Sequence, residues 1–265
     1  MTQENTTDNM ISVIIPTFKT PQALDLCLRS VIEGQEKLNE ILVVVDGTLE
    51  VNTDVLSKYY SQIHPVVLPN NVGMTRAQNL GVSLAKNKRV LITNDDNVFP
   101  KEWDTILGKL DVTNSVIAPN QIEPYNSMFS QFIIKDCGKD PAKFDLEGFW
   151  KFEKSQRKDL IEDTGSTYPI YMSRLNYMSC GGFDIEYPTL TGSYTDWDFF
   201  LKCELNGWKM LRTYECAFYH FVSVSRKSTE AKVKEQSIEA ECKKFFATKW
   251  QNQPKHNPIN NSKMI

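Results

Sequence analysis

No run of about 18 consecutive apolar residues occurs anywhere in this chain, which excludes a conventional membrane-spanning helix. The first ten residues, MTQENTTDNM, contain no apolar h-region. They do not read as a secretory leader, so the expected location is cytoplasmic, with peripheral attachment to a membrane left open. The six cysteines, at positions 27, 137, 180, 203, 216 and 242, lie far apart with no C-x-x-C spacing. Neither a compact disulfide framework nor a zinc site is indicated, and a reducing compartment fits best. A basic surplus is also missing: 30 Lys and Arg stand against 33 Asp and Glu, a formal charge of −3. The whole protein therefore has no attraction for nucleic acid or anionic lipid, and any phosphate contact must be local. The segment after the first apolar run, PTFKTPQ, has no glycine, so it is not the Gly-rich phosphate loop of a dinucleotide-binding dehydrogenase.

What is present is an alternation of short apolar runs and helical patterns. ISVIIP (11–16) is almost wholly apolar, as expected of a parallel strand covered on both faces. Thr20 is a candidate N-cap with Pro21 at the first helical position, and Leu24, Leu28, Val31 and Ile32 then share one face. Strands are expected at 40–45, 65–68, 89–93 and 115–118, and helices near 54–60, 75–86 and 103–110. This order predicts an α/β fold with a mainly parallel, doubly wound sheet and helices on both faces. The segment 120–167 breaks the alternation and carries Tyr125, Phe129, Phe132, Phe144, Phe149 and Trp150. It is expected to be an irregular lid or acceptor platform. A helix near 196–206 with a stop at Gly207, β-like runs at 210–214 and 217–224, and a charged helix over 228–250 complete the pattern. The expected organisation is a mobile segment 1–9, a catalytic domain 10–224 divided near 119, and a C-terminal helix and tail from 225.

The chemistry concentrates at ITNDDNVF (92–99), where a strand ends in carboxylate and amide oxygens. Mg²⁺ or Mn²⁺ held by one or two carboxylates fills its remaining positions with water and phosphate oxygens, so Asp95 and Asp96 suggest a metal-bridged phosphate ligand. An Asp-Asp-Asn turn without such a role is the plainer alternative. In doubly wound sheets ligands collect beyond the carboxyl ends of strands. Polar residues stand at four such ends: Thr17 to Lys19, Asp46 and Gly47, Asn70 and Asn71, and Asn94 to Asp96.

The ordered series SVIIPTFK, VVVDG, NVGMTRAQNLG, ITNDDN, CGGFD, TDWDFFLKCELNGWK and a late His resembles the inverting glycosyltransferases of family 2, over about residues 11 to 220. The resemblance implies a GT-A fold and transfer of a sugar from a UDP, dTDP or GDP donor to a glycan, lipid-linked glycan or other hydroxyl acceptor, in polysaccharide biosynthesis. On that basis Pro16, Thr17 and Phe18 would line the nucleotide pocket and Asp46 would accept from the base. Arg76 or Gln78 would meet the diphosphate; the family often has Arg where Gln78 stands, and the AQN variant is similar to some rhamnosyltransferases. The D-x-D signature becomes Asn94-Asp95-Asp96, with Asn94 and Asp95 near the ribose or behind the metal, and Asp96 with His220 as ligands of Mn²⁺ or Mg²⁺. The register Asp95-Asp96-Asn97 is the alternative.

Inversion requires a base that takes the acceptor proton while the diphosphate leaves from the opposite face. Asp196 holds that place in the resemblance, with Asp198 second, and Asp196 would equally suit a helix N-cap. Asp184 and Trp197 are the acceptor-side candidates, and the glycines of CGGFD would let the backbone approach a sugar. Two other readings stay open. One is a degenerate nucleotide- or glycan-binding protein, since Asn94, Gln78 and Thr195 replace charged residues. The other is a sugar nucleotidyltransferase, which normally opens with the Gly-rich loop missing here.

Overall fold

The computed structural model describes residues 9–47, 49–125, 130–222 and 229–251, with side chains of 229–235 left aside. The expected N-terminal segment, Phe129, the end of the run over 217–224 and nearly all of the tail lie outside them. The elements are β1 (Ile11–Thr17), α1 (Pro21–Gly34), β2 (Glu40–Asp46), α2 (Leu49–Tyr59), β3 (His64–Leu68), α3 (Met74–Leu84), β4 (Arg89–Ile92), β5 (Asn97–Val98), α4 (Trp103–Gly108), β6 (Ser115–Glu123), β7 (Ile133–Ile134), α5 (Leu146–Gln156), β8 (Ile161–Glu162), β9 (Ile170–Ser173), α6 (Arg174–Ser179), α7 (Thr195–Leu205), β10 (Lys209–His220) and α8 (Thr229–Lys249).

One sheet in the order β3-β2-β1-β4-β9-β6-β10-β5 runs through the molecule, with β7 beside β6 and β8 beside β10. Its first four strands are parallel, as the apolar runs predict. The second half is mixed: β9 lies antiparallel between β4 and β6, whereas β6 and β10 are parallel. Sequence reading missed β9 because IYMS (170–173) is short and pairs only with strands distant in the chain. Leu24, Cys27, Leu28, Val31, Trp103 and Leu107 cover one face of the sheet, while Val82, Tyr177, Phe199, Phe200 and Cys203 cover the other. Each fully buried aliphatic side chain contributes about 1.5–3 kcal/mol, which holds the strand ends in fixed register.

The segment 120–167 is more ordered than its composition suggests. Asp145 caps α5 by accepting from Gly148 N at 3.0 Å. Phe144, Phe149 and Trp150 then pack with Val98, Tyr219 and Phe221 in a third core cluster, and Trp150 Nε1 donates to Phe99 O at 2.9 Å. These aromatics are interior, so they do not form an acceptor platform; Tyr125, at 49% exposed, remains at the surface. The two β-like runs near the end are one strand, β10, whose pairing with β6 shifts register between Thr213 and Ala217. No described helix is long and apolar enough to cross a membrane, and the six cysteines are free thiols.

Candidate active site

The strand order changes direction between β1 and β4, because β2 lies on one side of β1 and β4 on the other. Their ladder ends where Thr93 N donates to Ile14 O at 3.1 Å. Pro16 has no N–H with which to extend it, so the ladder stops at the carboxyl ends, where ligands of doubly wound sheets collect. Two hydroxyls from the β1 side reach across. Thr17 Oγ1 donates to Asp95 Oδ2 at 2.7 Å, and Thr20 Oγ1 donates to the same oxygen. Thr20 is indeed the residue before the first helical turn, but its side chain makes no cap bond and serves the site instead. Phe18 is 38% exposed at the rim, and Lys19, in a left-handed conformation at φ 56°, places its ammonium over the Phe18 ring.

Burial pushes the Asp95 carboxyl up to about 7, the Asp96 charge adds to this, and the two threonine hydroxyls oppose it. Asp96 Oδ2 lies 3.7 Å from His220 Nε2, and Phe221 N donates to Asp96 O at 3.2 Å. The short strand β5 pairs antiparallel with the end of β10, setting His220 opposite Asn97. The residues named as metal ligands from sequence are thus brought together from chain positions 96 and 220. Beside them, Asn94 Oδ1 and Asn97 Oδ1 are buried oxygens without a hydrogen-bond partner.

Among the described residues, no group of three or more His, Cys, Asp or Glu side chains could hold a metal ion. A hard cation that also takes diphosphate oxygens and water needs fewer protein ligands. Asp96, His220 and the two amide oxygens supply donors of the right kind, so the residues fit Mn²⁺ or Mg²⁺.

Asp46 ends β2, one residue beyond Val45, the β2 partner of Thr17. Its two oxygens accept from Val72 N at 2.7 Å and Gly73 N at 2.9 Å, so it also anchors the loop before α3. Gly47 is required there: at φ +77° a Cβ would lie 2.3 Å from Asn71 N. Arg76 donates to Val72 O and to Ile185 O at 2.6 Å, which commits its guanidinium to backbone. Gln78 is fully buried; its Oε1 accepts from Tyr168 at 3.2 Å and its Nε2 has no hydrogen-bond partner.

Tyr168 leads to the second acidic group. It stacks on Phe183 at 5.9 Å, and its phenol is held far up by burial first and by the Asp196 charge second. Asp196 lies in the first turn of α7 and accepts from Trp197 N at 2.9 Å. Tyr194, not Asp196, occupies the cap position. Burial pushes the Asp196 carboxyl up to about 6.

Asp198 differs. It is fully buried and accepts from Trp250 Nε1 at 2.8 Å and Tyr187 at 3.2 Å, with Lys249 at 2.6 Å and Lys202 at 3.5 Å. Lys249 also pairs with Asp184 at 2.5 Å. Despite desolvation, Lys249 and the Glu186 N–H hold the Asp184 carboxyl below its ordinary value. Trp197 packs between Tyr194 and Phe246 of α8. Asp184, Asp198 and Trp197 therefore fasten α8 to the rest of the fold. Gly182 likewise has a packing reason: a Cβ there would meet Asn79 Oδ1 and Tyr177 at 2.7 Å.

Sequence reasoning missed two residues of this site. Tyr168 precedes the unrecognised strand β9. Glu123, at the end of β6, places Oε1 3.0 Å from His220 Nδ1, a contact made by the pairing of β6 with β10 and invisible in local pattern.

Residues 12–157 match the family described as glycosyl transferase family 2. The chain belongs to this family. It is 31% identical over 103 residues to the uncharacterized glycosyltransferase YibD of Escherichia coli K12, covering 37% of this chain and 30% of YibD. To glycosyltransferase GlyG of Streptococcus pneumoniae serotype 4 it is 22% identical over 159 residues, covering 55% and 53%. The chain thus spans about a third to a half of these curated relatives. Among solved structures, the Pyrobaculum calidifontis mannosyltransferase PcManGT in complex with GDP-Man and Mn²⁺ superposes with a TM-score of 0.59 at 15% identity, covering 91% of this chain and 64% of that one. S. aureus TarS 1–349 in complex with UDP gives 0.56 at 15% identity, covering 90% and 72%. This family 2 member has the GT-A fold.

Proposed function

We propose that this family 2 member transfers a hexose from a nucleoside diphosphate sugar to a hydroxyl of a glycan or lipid-linked glycan, inverting the anomeric centre. The observation that carries the reading is the meeting, at the β1/β4 switch point, of Asp95 held by Thr17 and Thr20 with Asp96 facing His220. PcManGT in complex with GDP-Man and Mn²⁺, and TarS in complex with UDP, support a nucleotide donor with a divalent cation.

In this reading Pro16, Thr17, Phe18 and Asp46 bound the nucleotide, Asn94 and Asp95 face the ribose side, and Asp96 with His220 hold the cation. The chemistry Mn²⁺ or Mg²⁺ would supply when held there is neutralisation of charge developing on the departing diphosphate. Asp196 accepts the proton of the acceptor hydroxyl as that oxygen bonds to the anomeric carbon and the bond to the diphosphate oxygen breaks. A base titrating near 6 is ionised at neutral pH yet strong enough to take the proton. One displacement inverts the centre, with no covalent enzyme intermediate.

One observation favours a second reading, binding of a nucleotide or glycan without turnover. Gln78, where the family often has Arg, is neutral and accepts from Tyr168, while Arg76 spends two of its donors on backbone carbonyls, so a diphosphate would meet less positive charge here. Release of nucleoside diphosphate from UDP-, dTDP- and GDP-sugars across an acceptor panel decides between them. The proposal expects turnover of one donor class and a loss of at least about 100-fold in Asp196→Asn. Binding without turnover across the panel favours the second reading, and unchanged turnover in Asp196→Asn contradicts the base.

A further inference from the structure

Glu123 has a side chain only 9% exposed, and its Oε1 sits 3.0 Å from His220 Nδ1 while Nε2 of the same ring lies 3.7 Å from Asp96 Oδ2. The imidazole is strung between two carboxylates from different elements. Strand pairing already fixes the backbone: Tyr219 is registered on Ile122 of β6 and His220 on Asn97 of β5. What remains to be set is the rotation of the ring and which nitrogen carries the proton.

An ionised carboxylate only accepts, so the Glu123 contact is satisfied when Nδ1 bears the hydrogen. In the neutral ring the lone pair then belongs to Nε2, which faces another acceptor, Asp96. A cation between these two groups, 3.7 Å apart, would take both as ligands. We propose that Glu123 is a positioning residue that fixes His220 as its Nδ1–H tautomer and makes Nε2 the partner of Asp96 in cation binding. The inference rests on the metal reading above and adds the residue that makes His220 a ligand. Carboxylates commonly play this part behind metal-binding histidines.

The test uses the full chain. It contains three histidines, so His220→Gln assigns the imidazole ¹⁵N signals, which report the tautomer in metal-free protein at a pH where the ring is neutral. Loss of the free Mn²⁺ paramagnetic resonance signal then measures affinity for Mn²⁺ alone. We expect Nδ1–H in the wild type. In Glu123→Ala the tautomer preference disappears and Mn²⁺ affinity falls about 10- to 100-fold. Glu123→Gln retains a carbonyl acceptor and the side-chain volume, so it restores the tautomer and most of the affinity. An Nε2–H tautomer in the wild type overturns the proposal. So does Mn²⁺ binding that is lost in Asp96→Ala and His220→Gln but unchanged in Glu123→Ala, a result that leaves the metal reading intact. No Mn²⁺ binding by the wild type defeats both.

Discussion

Two acidic pairs, Asp95 with Asp96 and Asp196 with Asp198, look alike in sequence and are given different surroundings by the fold. In each, one carboxylate is held by donors from other elements, whereas its neighbour has fewer partners: Asp96 lies 3.7 Å from His220 and Asp196 accepts from Trp197 N. Asp95 is held by two neutral hydroxyls and stays poorly compensated, so burial pushes it up to about 7. Asp198 is surrounded by two ammonium groups, an indole N–H and a phenol, and belongs to the structure. On the proposed reading the two residues that remain, Asp96 and Asp196, are the cation ligand and the base. Compensation, rather than mere acidity, separates a structural carboxylate from a reactive one.

The comparison is broken most directly by substitution within the second pair. Asp196→Asn should lower kcat by about 10²- to 10⁴-fold, while nucleotide binding is retained and thermal stability is not lowered. Asp198→Asn should do the reverse. Lys249 keeps Asp184 as a partner, so removing the Asp198 charge from Lys249, Lys202, Trp250 and Tyr187 should cost roughly 1–3 kcal/mol, read as a lowered denaturant midpoint, with residual activity in the folded fraction. If both variants fold normally and lose activity equally, the proposed division of labour between them is wrong.

A pH series sharpens the same contrast. The Asp196 carboxyl lies at about 6 against an ordinary 3.8, so the native state binds a proton more tightly than the unfolded chain. The stabilisation this gives is complete below about pH 4 and is lost as pH rises through 6. Asp196→Asn, which cannot ionise, should therefore gain roughly 1–3 kcal/mol on the wild type between pH 4 and 7.5. In the wild type kcat should rise through pH 6 as the base ionises. The smallest effect belongs to the first pair: Thr20→Val removes one hydroxyl from Asp95 and should cost about 1 kcal/mol of stability, with α1 intact because this side chain makes no cap bond.

Much of the first half was legible because each element there is local. Ile11 to Thr17 is buried along its whole length and its neighbours recur at βα spacing, so the four parallel strands and the loops at their ends could be read directly. The second half is built from pairings distant in sequence. Strand β9 lies between β4 and β6, and Glu123 reaches His220 only because β6 and β10 run side by side. Helix α5 carried an available signal, an Asp145 cap followed by Leu146, Phe149, Trp150 and Glu153 on one face, obscured by the irregular composition around it. The roles of Asp184 and Trp197 depend on where α8 docks, through Lys249 and Phe246, and no local pattern specifies that.

The central claim is that a divalent cation and a nucleoside diphosphate meet at the β1/β4 switch point through Asp96. Thermal stabilisation by UDP, dTDP, GDP and CMP, each with and without Mn²⁺, tests it in the wild type, Asp96→Ala and Asp198→Asn. The account predicts a Mn²⁺-dependent gain of about 2.7 kcal/mol for one diphosphate at roughly 100 times its Kd, lost in Asp96→Ala and preserved in Asp198→Asn. Stabilisation that needs no metal and survives Asp96→Ala, or none with any nucleotide, would contradict it.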